Sequence, residues 1–66
     1  MDIKYFPDTD TLLISFTNKE IVETRDLNDN VLIDLDNDGN LVSMTIEHAQ
    51  RQANMGNFSY QQMTAD

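Results

Sequence analysis

The chain has no cysteine and no tryptophan, one proline, two glycines, one histidine and only four Lys and Arg residues in 66. Each scarcity closes a door. Without cysteine there is no disulfide and no thiolate metal site to staple a core that small size already limits. A single His with no Cys leaves zinc without its usual ligand set. Four basic residues against twelve Asp and Glu, a net charge of −8, exclude the phosphate neutralisation that nucleic-acid binding rests on. No stretch approaches the roughly 18 apolar residues of a membrane span, and the first residues lack the basic start and apolar run of a leader. The expectation is one small cytoplasmic domain over residues 1–66, with no nucleic-acid, membrane or cofactor partner.

What is present is β-strand patterning. In Asp2-Ile3-Lys4-Tyr5 the apolar residues alternate, and Pro7-Asp8-Thr9-Asp10 is a turn built from the fixed φ of Pro and the Asx chemistry of Asp. Leu12, Ile14 and Phe16 then share one strand face, with Leu13 and Ser15 on the other. Leu13 breaks the alternation, and reads either as a half-covered outer residue or as part of a contact with another chain. After the polar Thr17–Glu20, the stretch Ile21–Asp26 interleaves β-formers with charges, as suits an exposed strand. Asn28-Asp29-Asn30 is a loop.

Val31–Ile46 organises the rest as a hairpin. Val31, Ile33 and Leu35 alternate, as do Val42, Met44 and Ile46. A four-residue loop, Asp36–Gly39, sets Leu35 opposite Asn40, Ile33 opposite Val42 and Val31 opposite Met44, which keeps both apolar rows on one face. Gly39 then occupies a left-handed position. Asp34, Asp36 and Asp38 followed by Gly39 also spell the first half of a calcium loop, but Thr45 stands where the bidentate Glu belongs and Glu47 comes two residues late. Turn chemistry explains the three aspartates without a metal; a weak calcium or magnesium module is the alternative.

From Glu47 to Met55 the residues favour helix, Gly56 is a plausible C-cap, and Ala49 and Ala53 form a small-residue stripe that can lie on the sheet, with Met55 filling a gap. Phe58, Tyr60 and Met63 can dock on the sheet, meet a partner chain or belong to a mobile tail, and Thr64–Asp66 is expected to fray. The fold class is α+β: an antiparallel meander of about five strands with one short C-terminal helix. Its one-sided alternation demands a cover for the inner face, whether the helix, a second copy or both.

Catalysis finds no support. Ser15, Ser43 and Ser59 lack a nucleophile motif. His48 stands alone at a strand-to-helix junction, and nothing around the pairs Asp8 with Asp10 and Asp34 with Asp36 marks the two distinct environments that an acid–base pair needs. An enzyme is not expected.

Tyr5-Phe6-Pro7-Asp8-Thr9-Asp10-Thr11-Leu12-Leu13-Ile14 resembles the Y-x-P-x-x-D-x-L-x-I opening of a family of small, mostly bacterial proteins catalogued as domain of unknown function 2283. Glu23-Thr24, Val31–Gly39, Leu41-Val42, Ile46-Glu47 and Ala49 are similar to its remaining pattern. The resemblance makes residues 1–49 the family-like core and leaves 50–66, rich in Gln, as a helical or partly mobile tail. It carries over no activity, cofactor or catalytic residue. Some members are described as antitoxins beside small toxin genes, so the resemblance implies an antitoxin-like interaction protein with a protein partner, for which the acidic charge suits a basic one; the one-sided alternation makes a homodimer the other expectation. Leu13, Phe58, Tyr60 and Met63 are the candidate contact residues.

Overall fold

The computed structural model describes residues 1–64; the tail residues Ala65 and Asp66, for which fraying is expected, lie outside them. Five strands form one antiparallel sheet: β1 (Asp2–Phe6), β2 (Thr11–Ser15), β3 (Glu23–Asn28), β4 (Val31–Leu35) and β5 (Leu41–Glu47), followed by α1 (Ala49–Gln52). The spatial order is β1-β2-β5-β4-β3. A hairpin, β1–β2, is thus joined to a meander, β3–β4–β5, through the non-sequential pairing of β2 with β5, and the segment between β2 and β3 must pass β5 and β4 before pairing resumes.

That detour moves the start of the third strand. Ile21 and Val22 were expected within it, yet β3 begins at Glu23, with only the Val22 amide reaching Leu35 O at 2.9 Å. Its far end runs on to Asn28, past an irregularity between Asp26 and Asn28, so the loop before β4 shortens to a tight turn in which Asn28 Oδ1 accepts from the Asn30 amide at 2.7 Å.

The central hairpin keeps the expected faces by a different route. Leu35 pairs with Leu41, not Asn40; Ile33 pairs with Met44, not Val42; Val31 pairs with Ile46, not Met44. The turn is wider because the Asp36 carboxylate accepts from both the Asp38 and Asn40 amides at 2.9 Å, while the Asp36 amide donates to Asn40 O. One extra loop residue alone would turn the second apolar row outward. A bulge between Asp34 and Leu35, with Val42 as the surplus residue on β5, adds a second shift and restores the faces. Gly39 has φ +80°, with nothing within 4 Å of where a Cβ would stand.

The helix is one turn long, not the run from Glu47 to Met55. Glu47 still pairs in the sheet, opposite Thr11. His48 turns left-handed (φ 54°), and Ala53 is already extended, so it caps the turn in place of Gly56. Ala49 is completely buried whereas Ala53 is exposed, so the two do not form a stripe against the sheet. Among the described residues no helix is long and apolar enough to cross a membrane.

Because space around Gly39 is open, a side chain there is penalised only by the backbone. Gly39→Ala is expected to lower the unfolding free energy by about 1 kcal/mol, and Gly39→Asn by less. Urea denaturation checks this; an alanine variant as stable as the parent would refute the strained turn.

Candidate functional site

Two features of the sheet bear on function, and both follow from the β2–β5 ladder. Residues opposite one another share a face, so one face carries the row Tyr5, Leu12, Ile46, Val31 and the parallel row Ile3, Ile14, Met44, Ile33, the latter ending at Arg25 on β3. Leu12 and Val31 are buried, as are Leu35 and Val42 toward the hairpin end. The second row is not. Ile14, Met44 and Ile33 occupy the central strands and remain only half-buried, and Ile3 is exposed at the rim. A single turn of helix cannot cover five strands, and its placement at one end leaves this row only partly covered.

The placement itself is fixed by a polar clasp. Asp10 and His48 continue the β2–β5 register one step beyond Thr11 and Glu47, and both adopt φ 54°, so the two segments leave the sheet together. The Asp10 carbonyl accepts from the Ala49 amide at 3.0 Å, and its Oδ1 from the Gln50 amide at 3.1 Å and from the Tyr5 hydroxyl at 2.6 Å. Gln50 Nε2 in turn donates to the Tyr5 hydroxyl oxygen at 2.9 Å. These bonds satisfy the first amides of the turn, which a short helix cannot satisfy alone. Nearby, the Glu47 amide donates to Asn30 O at 2.7 Å and His48 Nδ1 lies 2.9 Å from Asn30 Oδ1. His48 therefore stands at the helix start with its ring tied to the β3–β4 turn.

The remaining candidates lie apart from one another. Asp34 points to the opposite face, where it accepts from the hydroxyls of Thr24 and Ser43. Asp36 is buried as the acceptor of its own turn, with Lys19 Nζ 4.0 Å away, and Asp38 is exposed. Two of the three carboxylates are thus committed to hydrogen bonds at different places, and among the described residues no group of three His, Asp or Glu side chains gathers to hold a metal. Leu13 is half-buried on the same face as Asp34, in a row with Lys4, Thr45 and Leu32. Phe58, Tyr60 and Met63 follow the helix without strand or helix structure, at 45 %, 77 % and 74 % exposure. Tyr60 borders a shallow hollow with Met1 and Ile3, at the β1 rim of the apolar face.

Charge is sorted by face. Asp2, Asp26, Asp34 and Glu47 fall on the Leu13 side, and Asp8, Asp10, Glu20, Asp29, Asp36 and Asp38 lie in turns or connections. The apolar face carries Glu23 and Arg25 alone among charged strand residues, and these pair with each other on β3, which holds the Glu23 carboxyl below its ordinary range.

Sequence reasoning did not single out Ile14, Met44 and Ile33, since residues alternating toward a core look alike whether or not a cover exists. The available signal was quantitative: few apolar residues after Ile46 for so broad an apolar face.

The Tyr5 phenol sits above its ordinary value of about 10, chiefly because its proton is shared with Asp10, with desolvation adding and the bond from Gln50 opposing. It is therefore a protonated donor at neutral pH. Because the folded value exceeds the unfolded one, the stabilisation is complete below about pH 10 and is lost as pH rises through the folded value. In a Tyr60→Phe background, phenolate absorbance is expected to give a Tyr5 midpoint above 10 that falls when Asp10→Asn is added. A midpoint unaffected by that change would remove the clasp.

The family model described as protein of unknown function (DUF2283) matches residues 2–50 of the 66. The match covers the whole sheet and stops at Gln50, the last residue that bonds to the clasp. No curated protein and no solved structure matches the chain. With the Tyr5, Pro7 and Asp10 opening, the hairpin and Ala49 all inside the matched span, this chain belongs to the DUF2283 family of proteins of unknown function.

Proposed function

We propose that the protein is a protein-interaction module that works through its apolar sheet face. The observation that carries this reading is the half-burial of Ile14, Met44 and Ile33 on central strands, with Ile3 exposed beside them. A sheet with one apolar face normally buries it against a second layer. Among the described residues this chain supplies a single helical turn for that purpose. A contiguous apolar surface of this kind marks a place where another molecule packs. Tyr60, beside Ile3 and Met1, and with it Phe58 and Met63, adds apolar surface near the same rim.

The opposite face, with Asp2, Asp26, Asp34 and Glu47, keeps the module soluble and discourages anionic partners. An antitoxin-like role is one form of the proposed function, in which the partner is a basic protein met by this acidic surface as well as by the apolar one. Long-range attraction then sets the speed of encounter, and burial of the isoleucine row holds the complex.

A photo-reactive phenylalanine analogue placed singly at Ile33 and Met44, and for comparison at Leu32 and Thr45, separates the two faces in living cells that produce the protein. Neighbours in sequence here point to opposite sides of the sheet. Ultraviolet irradiation is expected to give protein adducts from positions 33 and 44 and few or none from 32 and 45, whatever the mass of the adduct. Adducts only from 32 and 45, or from no position, would refute the reading.

A further inference from the structure

We infer that the occupant of the apolar face is a second copy of this chain, packed sheet to sheet about a two-fold axis near Ile14 and Met44. The inference rests on the interaction reading above and names its partner.

Three observations select this occupant. The first is charge. Each copy carries a net −8, so two copies repel wherever their acids face one another. The apolar face is the exception, since Glu23 and Arg25 neutralise each other there and the other strand acids lie on the reverse side or in turns. Like-charged chains can therefore meet on this face with their charge turned outward. A basic partner would find its complement on the reverse face instead.

The second is area. The five strands, five to seven residues long at about 3.4 Å per residue and about 4.8 Å apart, make a face of roughly 20 × 24 Å, so two stacked copies cover on the order of 1,000 Å² in all, the lower end for a specific interface. The third is symmetry. A two-fold interface uses one patch against itself, and the row Ile3, Ile14, Met44, Ile33 runs across four adjacent strands, so a copy turned about its middle lays the same residue types over it. Two sheets so stacked, about 10 Å apart, complete the two-layer arrangement that one chain lacks.

Analytical ultracentrifugation of the full chain, together with NMR of labelled Ile and Met methyl groups in the presence of a soluble paramagnetic probe, tests this. The expected result is a species of twice the 7.6 kDa chain mass, with the methyls of Ile14, Ile33 and Met44 shielded from the probe. Added salt should tighten the association, because it screens the mutual repulsion of two anionic chains. Met44→Lys, and the rim change Ile3→Lys, which carries less risk to folding, should weaken it; for Met44 the loss is on the order of 100-fold or more, as two unpaired charges enter the interface. Leu32→Lys on the reverse face should leave it unchanged.

A monomer at all concentrations with accessible methyls would overturn the second copy. So would a dimer whose Ile14, Ile33 and Met44 methyls stay accessible, since it would be joined elsewhere. Either result leaves the interaction reading to its own cross-linking outcome, where an adduct heavier or lighter than a pair of chains would identify a different partner on the same face.

Discussion

The antiparallel ladder between β2 and β5 is the constraint on which the rest of the molecule depends. Among the described residues it is the one pairing between strands distant in sequence, running from Thr11 opposite Glu47 to Ser15 opposite Ser43. Without it the β1–β2 hairpin and the β3–β4–β5 meander would be separate pieces, and an isolated two-stranded hairpin is marginal alone. Its closure orders a long intervening stretch of chain, at a cost in entropy that its contacts must exceed. Leu12, among the most completely buried residues, sits within it opposite Ile46.

The ladder also decides where the helix can be. Beyond Thr11 and Glu47 both segments turn left-handed, at Asp10 and His48, and Asp10 then supplies acceptors for the Ala49 and Gln50 amides. An aspartate tolerates this backbone conformation better than most residues and brings a carboxylate to it. The clasp with Tyr5 fastens the turn at the Leu12 end of the apolar face and, by the same geometry, leaves the Ile14 and Met44 row only half-buried. Local fastening and a half-covered apolar row are two results of one junction.

The two aspartate-rich turns illustrate how similar residues acquire different tasks. Asp36 bonds the amides of its own turn, Asp34 the hydroxyls of Thr24 and Ser43, and Asp10 a phenol and a helix start. In each case the carboxylate serves as a fixed acceptor for nearby donors. The spacing of Asp34, Asp36 and Asp38 imitates a calcium loop because such loops and tight turns both exploit acceptors at alternate positions. Strand alternation then sends Asp34 to one face and keeps Asp36 in the turn.

Periodicity alone determined the five strands, the faces of Leu12, Ile14, Ile33 and Met44, the left-handed Gly39 and a short terminal helix, because apolar alternation and turn residues act over a few neighbours. The family likeness was legible in the Tyr5, Pro7 and Asp10 opening. Tertiary structure alone decided the rest. The Val42 bulge arises because the Asp36 turn and the face requirement conflict and only an extra residue satisfies both. The helix starts at Ala49 because its first amides are held by Asp10, about forty residues away in sequence, and no local propensity registers such a partner. The open isoleucine row is likewise absent from any window of sequence, since whether an apolar face is covered depends on what the whole chain has left to lay across it.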